Sequence, residues 1–192
     1  MILTFIGNCQ TIGLCYYFQQ LLKNSNYDIY WVLYGDSFGY NKTTALWSSK
    51  CKNQILNYDK INDIISKSDI IIYQEIDLSK SVFSNENTLK KMVKKKCKLI
   101  KIPCVYLIYD DYDNSIKELI KREKKNNVDL KVSIIFDKYR NKNMMLIKDH
   151  PNTFLFLEIV KELCKLLKFD FFKKEQCDIF LQNKNYMGLP NK

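Results

Sequence analysis

Short apolar runs alternate along this chain with stretches whose apolar positions recur every three or four residues, the pattern of strands interleaved with helices. Residues 3–6 form an apolar run cut off by Gly7. Residues 11–23 read as a helix, with Ile12, Cys15, Tyr16 and Leu22 among its apolar positions, and residues 24–26 punctuate it. Residues 29–34 are β-branched and aromatic and predict a second strand, and residues 35–49 read as loop. Residues 57–66 predict a helix with Ile61, Ile64 and Ile65 on one face. The run at 69–73, apolar from Ile70 onward, is what a strand buried on both faces requires.

The second half continues the alternation. Residues 84–96 read as a basic helix, and residues 99–102 and 105–109 flank Pro103 as the next strand region. Residues 114–125 form a charged amphipathic helix with Ile116, Leu119 and Ile120 inward. Residues 130–139 fit a short helix or a strand equally well, and 144–147 is a short apolar run. Pro151 opens a last helix over 152–167, as Pro favours a first turn. The expected fold is therefore a three-layer α/β/α arrangement around a mostly parallel sheet. It occupies one domain, residues 1–170, with a tail at 171–192.

At 192 residues the chain is long enough for one well-filled core. No apolar run approaches the ~20 residues needed to cross a membrane, and the start lacks the basic, long apolar pattern of a signal peptide. The seven cysteines are an odd number without a C-x-x-C pair and without zinc-finger spacing. They are expected to be reduced thiols of a cytoplasmic protein. The net charge of +10 rests almost wholly on lysine, since two of the 31 basic residues are arginine (Arg122 and Arg140). Lysine, asparagine and isoleucine have AT-rich codons, so part of that charge reflects composition rather than a ligand. The cluster Lys90, Lys91, Lys94, Lys95, Lys96 and Lys98 lacks interleaved aromatics and arginine, and reads as a solvated face rather than a nucleic-acid patch.

Reactive residues fall at two strand-to-helix junctions, where α/β sheets bind ligands. One is Gly7-Asn8-Cys9-Gln10 and the other is Asp149-His150-Pro151. Cys9 sits where a helix N-terminus offers free N–H groups and partial positive charge, which lower a thiol pKa and bind anions. A small buried core thiol is the competing reading. His150 is the chain's one imidazole and the natural general base near neutral pH, against a surface or capping role. Gln74 ends the third strand and either faces the crevice or simply closes the strand. Gly35-Asp36-Ser37 resembles the nucleophile motif of GDSL-type esterases, but the glycine-bearing blocks that family needs are absent between Gly39 and Gly188, and position 147 is Ile where the acid should stand. Ser37 is read as a turn residue.

Together these segments resemble the polysaccharide-biosynthesis acetyltransferases of capsule pathways, the WcbI-like family. The resemblance rests on a strand followed by Gly7-Asn8-Cys9-Gln10, a buried strand ending in Gln74, a charged helix with Arg122-Glu123, and an apolar segment leading to His150-Pro151 and a long terminal helix. It spans residues 2–168, and departs from the family at 108–112. It implies an α/β fold distantly like the SGNH hydrolases and a coenzyme A-dependent O-acetyltransferase acting on a sugar or glycan. Cys9 and His150 would be catalytic, and Asn8, Gln10 and Gln74 would bind acetyl-CoA or the oxyanion. Two routes stay open: a Cys9 thioester, or direct attack by a sugar hydroxyl that His150 deprotonates. An esterase or thioesterase using the same pair, and a non-catalytic basic protein binding nucleic acid or phosphoglycan, are the alternatives.

Overall fold

A computed structural model describes residues 1–22, 25–33, 45–48, 54–55, 58–74, 85–107 and 111–169. Ser37, Cys51, Cys177 and residues 171–192 lie outside this set. The chain is mixed α/β. Strands β1 (Ile2–Gly7), β2 (Asp28–Leu33), β3 (Ala45–Ser48), β4 (Gln54–Ile55), β5 (Ile70–Gln74) and β6 (Lys98–Ile102) form a six-stranded sheet in the order β4-β3-β2-β1-β5-β6. β2, β1, β5 and β6 run parallel, and β3 and β4 are antiparallel additions at one edge.

Side-chain alternation divides the core. Leu3, Phe5, Ile70, Ile72, Ile100 and Ile102 face one side. There they meet α1 (Cys9–Leu21), α4 (Tyr112–Asn126), α5 (Ser133–Lys138) and α6 (Thr153–Leu167). Ile6, Val32, Ile71 and Tyr73 face the other side, against α2 (Tyr58–Lys67) and α3 (Glu86–Met92). Because both faces are covered, β5 is buried along its whole length, as its unbroken apolar run requires. Helices α1 and α6 approach closely over Gly13: a Cβ there would stand 2.6 Å from the Phe156 ring.

Several sequence expectations change. Ile120 on α4, read as inward, is 49% exposed, because only Leu119 and Ile116 of that trio turn toward the core. A strand, β3, lies inside the segment read as loop; four residues carry too short a pattern to announce it. The basic helix stops at Met92, because Val93 turns extended (φ −84°, ψ 154°). Lys94 then reaches back to the Lys67 carbonyl and the Asp69 carboxylate, at 2.9 and 2.6 Å. Residues 105–107 are not a strand. Pro151 does not open the last helix: it lies in β8 (His150–Pro151), paired with β7 (Met145–Ile147). Asn152 caps α6 instead, its side chain accepting the Leu155 N–H at 3.0 Å. The ambiguous stretch at 130–139 resolves as α5, whose start is held by Glu123. That buried carboxylate accepts from the Ser133 N–H and hydroxyl at 2.9 and 2.5 Å.

Candidate active site

The sheet winds outward from β1 in both directions. The first crossover, through α1, leads to β2 over one face; the next, through α2, returns to β5 over the other. The carboxyl ends of β1 and β5 are therefore the point where ligands bind in open α/β sheets. Gly7 and Gln74 are those two ends. Gly7 has to lack a side chain, since a Cβ would lie 2.6 Å from the Gln74 Oε1 and 2.4 Å from Thr11 Cγ2.

Asn8 caps α1, accepting the Gln10 N–H at 2.9 Å. Cys9 is the helix's first residue. Its Sγ lies 3.7 Å from Nε2 of His150, and the other ring nitrogen, Nδ1, lies 2.7 Å from the Asp149 carboxylate. A carboxylate only accepts, so in the neutral ring Nδ1 carries the proton and the Nε2 lone pair faces the thiol. The fold thus brings together the two residues read as nucleophile and base, 141 positions apart, and adds Asp149 behind the imidazole. His150 is 18% exposed and Asp149 61%.

The helix N-terminus does not win at Cys9. The N–H groups of Cys9 and Gln10 pull its pKa down, but burial, and then the negative charge of Asp149, raise it above the ordinary thiol value of 9.0. At neutral pH the resting group is a thiol, and a base has to take its proton.

Gln10 and Gln74 are 3% and 1% exposed. The Gln10 amide is fully engaged. Its Nε2 donates to the Val105 carbonyl and, at 2.8 Å, to that of Asp149. Its Oε1 accepts from the Val105 N–H at 2.9 Å and from Gln74 Nε2 at 3.3 Å. Gln74 Nε2 also donates to the Pro103 carbonyl (3.2 Å), and its Oε1 accepts the Asn8 N–H (3.2 Å). These amides thus tie four segments together: the start of α1, the end of β5, the strap after β6, and the loop carrying His150. This is also why residues 105–107 make no strand. Val105 pairs both of its backbone groups with a side chain. Asn8 is half-buried, and its Nδ2 donates to Cys104 Sγ at 3.0 Å.

Three residues at the site had no role assigned from sequence: Asp149 and Arg122 stood there only as parts of motifs, and Cys104 only among the seven cysteines. Asp149 adjoins His150, and that adjacency was its signal. Cys104 follows the β6 end just as Cys9 follows β1. Arg122 is one of two arginines in a chain otherwise using lysine for positive charge, which marks a place where a planar fork is needed. Among the described residues no group of histidine, cysteine and acidic side chains has the arrangement of a metal site. No described helix is long and apolar enough to cross a membrane. Comparison with family models, with curated proteins and with solved structures found no match to this chain.

Proposed function

We propose that the chain is an acyltransferase in which Cys9 carries the acyl group. The observation that supports this most directly is the Cys9 Sγ–His150 Nε2 approach of 3.7 Å, with Asp149 on the far ring nitrogen. In this reading His150 takes the Cys9 proton as Sγ attacks the carbonyl of an acyl thioester substrate. The carbonyl oxygen becomes an oxyanion beside the start of α1. The Cys9 N–H serves it, since those of Asn8, Gln10 and Thr11 already have acceptors (3.2, 2.9 and 3.0 Å). Collapse breaks the substrate's C–S bond, and His150 returns its proton to the departing thiol. His150 next deprotonates an acceptor hydroxyl, which attacks the Cys9 thioester and restores the free thiol. Asp149 holds the imidazole in the tautomer both steps need and stabilises it while protonated.

The resemblance to the capsule-pathway acetyltransferases supplies the substrates: acetyl-CoA as donor and a sugar hydroxyl of a glycan as acceptor, in a cytoplasmic protein of distantly SGNH-like fold. Asn8, half-buried at the thiol, would meet the donor. Gln10 and Gln74 serve by holding the site together. Of the two routes, the covalent one is favoured because His150 faces the thiol itself.

The test is mass spectrometry after incubation with acetyl-CoA alone. A single acetyl adduct is expected on the peptide containing Cys9, lost in Cys9→Ser and in His150→Ala. Turnover should fall roughly 10²–10⁴-fold in His150→Ala, the usual worth of a general base. No adduct, with transfer surviving in Cys9→Ser, would reject the covalent scheme in favour of direct attack. Equal acetyl-CoA consumption with and without sugars would make the protein a thioesterase. Full activity in His150→Ala would reject every scheme built on the pair.

A further inference from the structure

We infer that Arg122 is a positioning residue for the Cys9–His150 pair, acting by clamping the strap of residues 104–106. This rests on the reading of that pair as nucleophile and base.

Arg122 lies on α4, and its two terminal nitrogens divide between two carbonyls of the strap. Nη1 donates to Cys104 O at 3.1 Å and Nη2 to Tyr106 O at 2.8 Å. The guanidinium carbon stands 3.6 Å over the centre of the Tyr106 ring. No carboxylate among the described residues pairs with Arg122, and its Nε is buried without an acceptor. Half-buried, with no counter-charge among the described residues and one donor left over, Arg122 does not form a surface ion pair there. What it does hold is backbone that no strand holds.

That backbone touches the site at each residue between the two carbonyls. Cys104 Sγ receives the Asn8 Nδ2–H at 3.0 Å, beside Cys9. Val105 gives both its N–H and its carbonyl to the Gln10 amide, whose remaining donor goes to the Asp149 carbonyl at 2.8 Å. Arg122 thus braces from outside the one strap that is tied both to the helix start bearing Cys9 and to the loop bearing His150. Lysine cannot replace it: one ammonium does not span two carbonyls two residues apart while stacking flat on a ring.

The experiment measures alkylation of Cys9 by iodoacetamide across pH, by peptide mass spectrometry on the full chain. Wild type, His150→Ala, Arg122→Lys, Arg122→Ala and Tyr106→Leu are compared, with thermal melts on each. In wild type, His150 assists the thiol, so alkylation near pH 7 should exceed that of His150→Ala. Arg122→Lys is expected to shift the profile toward His150→Ala, about ten- to a hundredfold slower near pH 7, the scale of a misplaced reacting group. At a pH high enough to ionise the thiol unaided, its rate should return to within about twofold of wild type, since no base is then needed. A merely structural arginine would lower the melting temperature and leave the profile of the folded protein where it is. A wild-type profile in folded Arg122→Lys and Tyr106→Leu therefore overturns the proposal, even if Arg122→Ala fails to fold. Coincident profiles for wild type and His150→Ala would instead overturn the reading of the pair, and this proposal with it.

Discussion

Gln10→Glu tests the amide framework directly, because it changes almost nothing in shape and reverses one half of the hydrogen bonding. The Gln10 side chain is 3% exposed, and its Nε2 serves two carbonyls, Val105 and Asp149. In the variant an oxygen replaces that nitrogen. Ionised, it points negative charge at two carbonyl oxygens; protonated, it serves one and leaves the other bare. An unsatisfied buried polar group costs about 1–3 kcal/mol, so two of them cost roughly 2–6 kcal/mol. In a chain of this size that is a fall in melting temperature of roughly 5–20 °C. The sign with pH is fixed. Burial, and the two carbonyl oxygens that face the new oxygen, outweigh the donors kept by the other one and raise the folded-state pKa of the new carboxyl above its unfolded value of about 4.3. Between the two values the native state binds more protons than the unfolded one, so stability falls as pH rises. Urea melts of wild type and variant at pH 4.5 and 7 should show a gap that widens toward pH 7. A variant as stable as wild type at pH 7 would refute the amide network, and with it the account of how Cys9 and His150 are brought together.

Asp149→Asn should move two observables in opposite directions: the charge that raises the Cys9 pKa disappears, so the thiol ionises at lower pH, while turnover drops because the imidazolium loses its carboxylate. An alkylation midpoint that stays or rises, or turnover that holds, would argue against Asp149 acting on both. Gly13→Ala sets a clash of about 1–3 kcal/mol at 2.6 Å from the Phe156 ring against the ~1 kcal/mol of helix propensity that alanine adds, for a net change between about zero and 2 kcal/mol of destabilisation; a urea melt showing greater stability would contradict the close approach of α1 and α6. Lys101 and then Lys90 hold the Glu86 carboxyl at about 2, well below its ordinary 4.5. The stability this contributes is present above pH 4.5 and lost as pH falls toward 2, so Glu86→Gln should flatten the acid limb of the stability curve in that window, and an unchanged limb would count against it.

The central sheet was legible because its signals are local. Apolar runs mark β1, interrupted by Thr4 alone, and β5, and the spacing of Ile61, Ile64 and Ile65 marks α2, all three of them buried. Where local pattern and long-range partner disagree, the reading failed. The lysines after Met92 suit a helix, yet Lys94 is drawn to Asp69, 25 residues away. Val105 and its neighbours look like a strand, yet the partner is the Gln10 side chain, 95 residues back. Glu123 looks like one more charge on a solvated helix, but it is 2% exposed and spends its carboxylate on the start of α5. The basic cluster is partly absorbed in the same way: Lys90 pairs with Glu86, Lys94 with Asp69, and Lys98 donates to the Leu166 carbonyl.

At the candidate site, position was legible and protonation was not. Strand-to-helix junctions place Cys9 and His150 at one sheet edge by topology, without any knowledge of their neighbours. The charge state of Cys9 depends on how much water the surrounding segments exclude, which no local motif encodes. Two N–H groups at the head of α1 favour the thiolate; burial and the Asp149 carboxylate oppose it and prevail. Cys15 and Cys164 show burial without a helix start: both thiols are pushed well up, Cys164 to about 12. Cys9 differs from them in having an imidazole lone pair at its sulfur. A thiol kept protonated at rest and facing an imidazole is suited to attack only when an electrophile arrives. That is the behaviour expected of an acyl carrier that has to stay unreactive between donors.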